Sequence, residues 1–372
     1  MIIGVPREIK TEEYRVGLTP HAVHELALHG HRLLVERGAG LGSGFGDDDY
    51  QRAGATLIDS AAEIWARAAL IVKVKEPQPG EYGLLRAGQL LFTYLHLAPD
   101  PTLTQALLDS GASCIAYETV TSAGGQLPLL TPMSEVAGRL AIQAGAHALE
   151  KSQGGRGLLL AGVPGVKPAK VVILGGGVVG SSAALIALGM GADVTLLDRS
   201  IERLRQLEQQ FGGRLDTCYA TTHNIEREAV TADLIIGAVL IPGARAPRLI
   251  SRTLLGSLNP GAVLVDVSID QGGCFESSRP TTHRAPTYVE QGVVHYCVAN
   301  MPSAVARTAS LALNNATLPY VLELADAGLS AALLRSPGLR AGLNVHQGRL
   351  TCQAVAEAQG RDYCAADTLF AA

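Results

Sequence analysis

Short apolar runs alternate along this chain with segments whose apolar residues recur at helical spacing. Ile2 to Val5, Arg32 to Glu36, Leu70 to Lys75, Leu90 to Leu97 and Cys114 to Val120 each read as a strand. Between them lie helix-like pieces. One is Ala98 to Ser110, and another is a helix that Thr19 is placed to cap, with Pro20 at its first position. Leu70 to Lys75 has an alternating character and ends at Glu76-Pro77, where proline forces a turn. Thr131-Pro132 opens a helix of roughly twenty residues, ~30 Å long, with Val136, Leu140, Gln143 and His147 at helical spacing. Lys170 to Leu174, Asp193 to Asp198, Thr217 to Ala220, Leu234 to Leu240, Ala262 to Ile269 and Val293 to Val298 then read as strands. Ser181 to Met190 and Ile201 to Gln210 read as helices among them. Ala304 to Leu324 reads as a long helix broken near Pro319, and the tail from Leu333 to Ala372 as mostly helical. Strands alternating with helices predict parallel sheets covered by helices.

One stretch organises the rest. The β-branched run Lys170-Val171-Val172-Ile173-Leu174 enters the turn Gly175-Gly176-Gly177-Val178-Val179-Gly180, then an uncharged helix, then a strand ending at Asp198. This is the strand–GxGxxG–helix–strand–acid order of a dinucleotide-binding unit. Gly175 permits the tight turn, Gly177 admits a pyrophosphate close to the backbone, and Gly180 lets the helix pack on the strand. The free N–H groups of the helix N-terminus face the phosphates. A membrane span over Val171 to Ala192 is the competing reading, but six glycines and the strand signal argue against it. A second glycine-rich loop, Gly38 to Gly46, also follows a strand. Asp47-Asp48-Asp49 after it would repel a phosphate, so it reads as a surface turn. The expected fold is α/β with two doubly wound domains. A Rossmann domain at 131–302 is inserted into a discontinuous domain made of 1–130 and a helical return, 303–372.

Composition narrows the function. With 47% hydrophobic and 17% charged residues in 372, the chain is globular. A net charge of −4 without a long basic run argues against nucleic acid as a partner. The six cysteines form no CxxC pair, and Met1 to Pro6 run directly into a strand, so a reduced, cytoplasmic protein is expected. His21 and His24 are three apart on a helix. No third ligand lies nearby, and a solvated face explains them.

In open α/β sheets, ligands bind beyond the carboxyl ends of the strands. Lys75, His96 and Asp270 lie at or just past predicted strand ends, and Arg15 lies in a loop after one. Two cations of this kind suit a small carboxylate, Arg15 as a planar fork and Lys75 as a point charge. The imidazole suits proton transfer near neutral pH. Taken singly, each also fits a solvated or turn-capping side chain.

The sequence resembles the alanine dehydrogenase and pyridine nucleotide transhydrogenase family. The resemblance rests on Gly4-Val5-Pro6-Arg7-Glu8 with Arg15-Val16, on Gly38-Ala39-Gly40 through Gly44-Phe45, on Val74-Lys75-Glu76-Pro77 and on Thr93-Tyr94-Leu95-His96-Leu97. Further on it rests on Pro132-Met133-Ser134-Glu135-Val136-Ala137-Gly138, on Asp266 through Gly273 and on Val298-Ala299-Asn300-Met301-Pro302. It implies NAD-dependent, reversible oxidative deamination of L-alanine to pyruvate and ammonium, with an NAD-binding transhydrogenase subunit as the alternative. Residues 1–130 and 303–372 then form the substrate domain and 131–302 the NAD domain. By this resemblance Arg15 and Lys75 hold the substrate, His96 is the general acid/base and Asp270 activates the water. Dinucleotide contacts are carried to Ser134, Gly175, Gly177, Val178, Val179, Gly180, Asp198, Arg203, Ala220, Val239 and Leu240. They are carried also to Val267, Ser268, Ile269, Asp270, Arg279, Val298, Ala299, Asn300 and Met301. The family tends to a Ser or Thr where Ala220 stands and to a Lys where Arg203 stands, so a side-chain hydroxyl contact is lost at Ala220. Some relatives hold a metal on a late helix through a Glu and a His one turn on. Here Glu323 is followed by Ala327, so no metal is expected. The resemblance also implies a homohexamer; the transhydrogenase alternative would need a membrane partner, and no membrane span is expected in this sequence, so no membrane partner is expected.

Overall fold

The strands are β1 (Ile2–Val5), β2 (Arg32–Glu36), β3 (Thr56–Ile58), β4 (Leu70–Val72), β5 (Leu90–Thr93), β6 (Ser113–Ala116), β7 (Lys170–Leu174) and β8 (Asp193–Asp198). They continue as β9 (Asp216–Tyr219), β10 (Leu234–Gly237), β11 (Val263–Asp266), β12 (Thr287–Glu290), β13 (Val293–Tyr296), β14 (Leu343–His346) and β15 (Arg349–Leu350). The computed structural model describes residues 1–239 and 246–370. By contacts the chain divides into two units, Met1–Met133 with Ser303–Ala372, and Ser134–Pro302.

The first unit carries a sheet in the order β15-β14-β6-β5-β4-β1-β2-β3. Strands β1 to β6 are parallel, with Ile3 opposite Leu33 on β2 and Gly4 opposite Ile71 on β4. The chain winds outward from β1 to β3, then crosses back to β4 and winds the other way. The winding reverses between β1 and β4, where their carboxyl ends diverge and a ligand crevice is expected. Leu34, Ile64, Trp65, Ile71, Leu91 and Leu107 pack one face of this sheet. Each buried aliphatic side chain of this kind contributes about 1.5–3 kcal/mol relative to exposure.

The second unit carries the order β12-β13-β11-β10-β7-β8-β9. The reversal here falls between β7 and β10, paired through Ile173 and Ile236. Val172, Leu174, Ile235, Leu264 and Phe275 belong to its core. Both units are therefore doubly wound α/β folds.

Several expected elements differ. β4 stops at Val72, because the Val74 and Lys75 amides donate to Glu8. Leu70 to Lys75 does not alternate but is buried throughout, as in a strand covered on both faces. β5 stops at Thr93, since Leu95 and His96 donate to the Glu118 carboxylate and His96 takes a positive φ of 48°. β6 gives way to a 3₁₀ turn at Tyr117–Thr119. β10, β11 and β13 likewise end at Gly237, Asp266 and Tyr296, three or two residues before the expected ends. The helix after the glycine turn begins at Val178, not Ser181, because the turn itself forms its first residues. Thr131 is already inside its helix, its amide and hydroxyl both donating to Leu127 O at 3.0 Å.

The tail is not mostly helical. β14 pairs antiparallel with β6 and β15 with β14, which makes the first sheet mixed. Its apolar positions Leu343, Val345 and Leu350 are buried on the sheet edge, a pairing that no local pattern announces. β12, unforeseen, forms an antiparallel hairpin with β13. The helix Ala306–Ala327 runs unbroken through Pro319. Buried Leu313, Asn314 and Thr317 before the proline, and Val321 and Leu324 after it, clamp both halves against the unit and outweigh the lost hydrogen bond.

Candidate active site

In the second unit the turn after β7 is built from three glycines in different situations. Gly175 has φ +102°, and a Cβ on it would stand 2.6 Å from Ala238 O. On Gly180 a Cβ would stand 1.8 Å from Gly175 O, so only glycine lets this helix lie so close to its strand. Gly177 is exposed, and a Cβ there would meet nothing within 4 Å. Gly177 is also the N-cap of the helix Val178–Gly189, which no side chain caps. Its first N–H groups and the positive end of its dipole thus face open space, the arrangement that receives a phosphate.

A fourth glycine, Gly176, is gripped from two sides. Asp198, at the end of β8, accepts from Gly176 N at 2.7 Å through Oδ2 and from Ser200 N at 2.8 Å through Oδ1. Arg203 Nε donates to Gly176 O at 2.6 Å. Ala220 follows β9, its amide donating to Asp198 O at 3.0 Å. Val239 follows β10 and accepts at its carbonyl from Ser268 Oγ at 2.7 Å. Leu240 lies outside the described residues.

Val267 to Asp270 form the turn after β11, with Asp270 exposed. Buried Asp266 anchors this turn at both ends. Its carboxylate accepts from Ser268 N at 3.0 Å, from Cys274 N at 2.8 Å and from Ser278 Oγ at 2.5 Å. Burial pushes its pKa upward, against these donors. Val298 to Asn300 follow β13, and Asn300 has φ +63°. Met301 is buried at the start of a 3₁₀ turn. Arg279 lies over the Tyr288 ring at 4.1 Å, and its amide donates to Tyr288 Oη. Ser134 lies half-buried near the start of the helix Thr131–Ala148. Apart from Ser134 and Arg279, these positions gather at the carboxyl edge of the second sheet.

In the first unit Arg15, Lys75 and His96 gather at the carboxyl edge of the other sheet. The loop bearing Arg15 is stitched to the helix Ala306–Ala327 through Val16 N to Ser310 Oγ at 3.1 Å and Thr19 N to Asn314 Oδ1 at 2.6 Å. Arg15 is buried, and its Nε and Nη2 edge is engaged by Glu13 at 2.7 and 2.6 Å, while Nη1 reaches Met133 Sδ at 3.1 Å. Glu13 thus occupies one of the two bidentate edges of the guanidinium. Burial opposes the charge on Arg15, but Glu13 outweighs it and keeps the guanidinium protonated.

Lys75 is only 8% exposed, and among the described residues no acceptor takes a hydrogen bond from its Nζ. Burial, then the positive charges of Arg15 and Lys10, lower its pKa. Its backbone is set by Glu8, which accepts from Val74 N at 2.6 Å and from Lys75 N at 3.3 Å. Glu8 is in turn paired with fully buried Lys73, which also meets Glu81, both at 3.0 Å. His96 stands exposed beyond β5, its ring stacked on Tyr94 with centroids 5.8 Å apart and planes within 9°. Buried Tyr94 donates from Oη to Leu129 O at 2.5 Å.

Each sheet edge also carries acids that strand-end reasoning passed over, Glu8, Glu13 and Glu118 in the first unit and Asp266 in the second. Each accepts from backbone amides of a candidate residue or of the turn that carries it. Glu8 and Asp266 stand inside the motifs quoted above. Glu118 stands near an expected strand end, so position alone offered a weak signal for it. Among the described residues no group of three His, Cys, Asp or Glu gathers as a metal site.

A family model described as alanine dehydrogenase/PNT, N-terminal domain, matches residues 4–137, and its C-terminal counterpart matches residues 141–353. The alanine dehydrogenase of Halomonas elongata is 60% identical over 369 residues, covering 99% of this chain and 100% of its own length. A solved L-alanine dehydrogenase superposes with a TM-score of 0.94 at 54% identity, covering 97% of this chain and 99% of its own. A transhydrogenase from Sinorhizobium meliloti shares the fold at a TM-score of 0.84 and 24% identity, over 94% of this chain and 100% of that one.

Proposed function

The chain belongs to the alanine dehydrogenase/PNT family, and from that premise we propose that it catalyses NAD-dependent, reversible oxidative deamination of L-alanine to pyruvate and ammonium. The observation that carries the reading is the pair of buried cations, Arg15 and Lys75, beside an exposed imidazole at one sheet edge. An ammonium with no acceptor among the described residues, its proton disfavoured by burial and neighbouring cations, is a site shaped for an anion. The substrate carboxylate restores the balance at Lys75, with Arg15 assisting.

His96 takes up the proton released as water adds to the substrate's imine carbon and returns it to the departing amine. Asp270 orients that water, and ammonia in the reverse direction. The dinucleotide, when bound, supplies the hydride acceptor of deamination and the donor of the reverse reaction. The open Gly177 and the uncapped helix behind it fit its pyrophosphate. Asp198 accepts from the adenosine ribose, since an ionised carboxylate oxygen takes more than one donor. Ser134, Arg203, Ala220, Val239, Leu240, Arg279 and Asn300 complete the dinucleotide contacts, and the unit Ser134–Pro302 is the NAD domain. By family resemblance the assembly is a cytoplasmic homohexamer, and light scattering on the purified chain tests its size.

A spectrophotometric screen of amino acids with NAD and NADP tests the reading. L-alanine-dependent NADH formation by the isolated chain is the expected result. NADH binding without turnover of any amino acid would refute it and favour a transhydrogenase subunit, whose solved relative is similar at lower identity. Asp198 repels a 2′-phosphate. A higher kcat/KM with NADP than with NAD would show that Arg199 beside it decides instead.

A further inference from the structure

We propose that Glu118 is the positioning residue of His96, and that it acts on the backbone of His96 and not on the ring. The proposal deepens the assignment of His96 as the acid/base and rests on it. His96 holds φ at +48°, the left-handed region that a non-glycine residue enters only when its surroundings enforce it. The enforcement is visible. Glu118 Oε1 accepts from Leu95 N at 3.1 Å and from His96 N at 2.6 Å, and Oε2 lies 3.2 Å from Leu95 N. Glu118 reaches them because β5 and β6 are adjacent, with Thr93 opposite Ala116, and the 3₁₀ turn Tyr117–Thr119 holds the acid just beyond that pair.

The ring is set separately. It lies flat on Tyr94, which is pinned by its hydroxyl and by an edge-on contact with Tyr117 at 5.0 Å. His96 Nδ1 stands 4.0 Å from Glu118 Oε1, too far for a hydrogen bond. Glu118 therefore holds the backbone of His96 without a hydrogen bond to its ring. Its carboxylate holds two consecutive amides, which draws the chain out of the pleat and turns His96 away from the strand. Tyr94 then fixes the plane in which the imidazole lies.

The two mechanisms separate experimentally. In Glu118→Gln the remaining Oε1 accepts from both amides without the charge. In Glu118→Asp the charge is kept, but the carboxylate is drawn back by one methylene and misses them. Alanine turnover, alanine KM, NADH affinity by fluorescence and melting temperature are measured for both variants, for His96→Ala and for the double variant His96→Ala/Glu118→Asp. Backbone positioning predicts that Glu118→Gln keeps kcat within about threefold. Glu118→Asp loses at least about 10-fold in kcat with NADH affinity unchanged, the scale expected for a misplaced catalytic group. The double variant is no slower than His96→Ala, since an imidazole that is gone cannot be misplaced. Loss in Glu118→Gln equal to that in Glu118→Asp would overturn the proposal in favour of a charge role. Additive losses in the double variant would overturn it in favour of general stability. A fully active His96→Ala would instead remove the assignment of His96 itself, a separate failure.

Discussion

Lys73 is the strongest lever on the first unit. Its side chain is fully buried at the reversal point of the sheet, with Glu8 and Glu81 each 3.0 Å from Nζ. Burial works against its charge, yet the two carboxylates outweigh burial and hold its pKa above the ordinary value. Lys73→Met keeps the length of the chain and removes the charge, leaving two buried acids without a counter-ion. Breaking a buried ion pair by deleting one partner costs about 3–5 kcal/mol. For a folding unit of this size a kcal/mol moves the melting temperature by about 2–4 °C, so a fall of ~6–20 °C is expected.

The loss should depend on pH with a definite sign. Burial already raises the Glu8 pKa and Lys73 opposes that rise, so removing Lys73 raises it further. A carboxyl group with a raised folded pKa stabilises the fold below that pKa and loses the contribution as pH climbs through it. The deficit of Lys73→Met should therefore be smaller at pH 5 than at pH 8. Adding Glu81→Gln removes one orphaned acid and should recover part of the loss. Alanine KM should rise as well, because Glu8 also holds the amides of Val74 and Lys75. Thermal and urea unfolding followed by circular dichroism measure all of this. A melting temperature within 2–3 °C of the parent, roughly a 1 kcal/mol change, would refute the account of Lys73 as the counter-ion of the buried acids.

Lys75→Ala should lower kcat/KM for alanine by ~10- to 100-fold, the loss of a charged hydrogen bond, while NADH still binds; unchanged turnover would return Lys75 to a structural role. Asp270→Asn should lower kcat by at least ~10²-fold with NADH affinity kept, measured by stopped-flow and steady-state absorbance. In the second unit His295 is fully buried, bonded to Ser277 at 2.7 Å, and burial lowers its pKa from 6.5 to about 4. A histidine whose folded pKa is depressed keeps its full contribution above about pH 6.5 and loses it as pH falls toward 4, about 3 kcal/mol in all. Urea midpoints between pH 7 and 5 should therefore drop less in His295→Gln than in the parent, and equal drops would count against a buried neutral imidazole.

What the chain determined by itself was local. The run Lys170 to Leu174, its three glycines, the uncharged helix and Asp198 lie within thirty residues, so turn geometry, helix start and acid spacing are written consecutively. The same holds for Thr19 capping the helix that Pro20 opens. What only the tertiary structure decided was where strands end and what holds the residues beyond them. β4 stops short of Lys75 because an acid 67 positions earlier takes its amide, and β5 stops short of His96 because an acid 22 positions later does the same. Arg15 pairs along one edge with Glu13 two residues away, a pairing that composition permits but only folding selects. β14 joins β6 across 233 positions between His346 and Ser113, and Pro319 stays helical because buried residues on both sides hold it there. Backbone donors at a strand end must find acceptors, and the sequence does not say which side chain will arrive. In this protein carboxylates arrive, from Glu8, Glu118 and Asp266, and they set the backbone from which Lys75, His96 and Asp270 project.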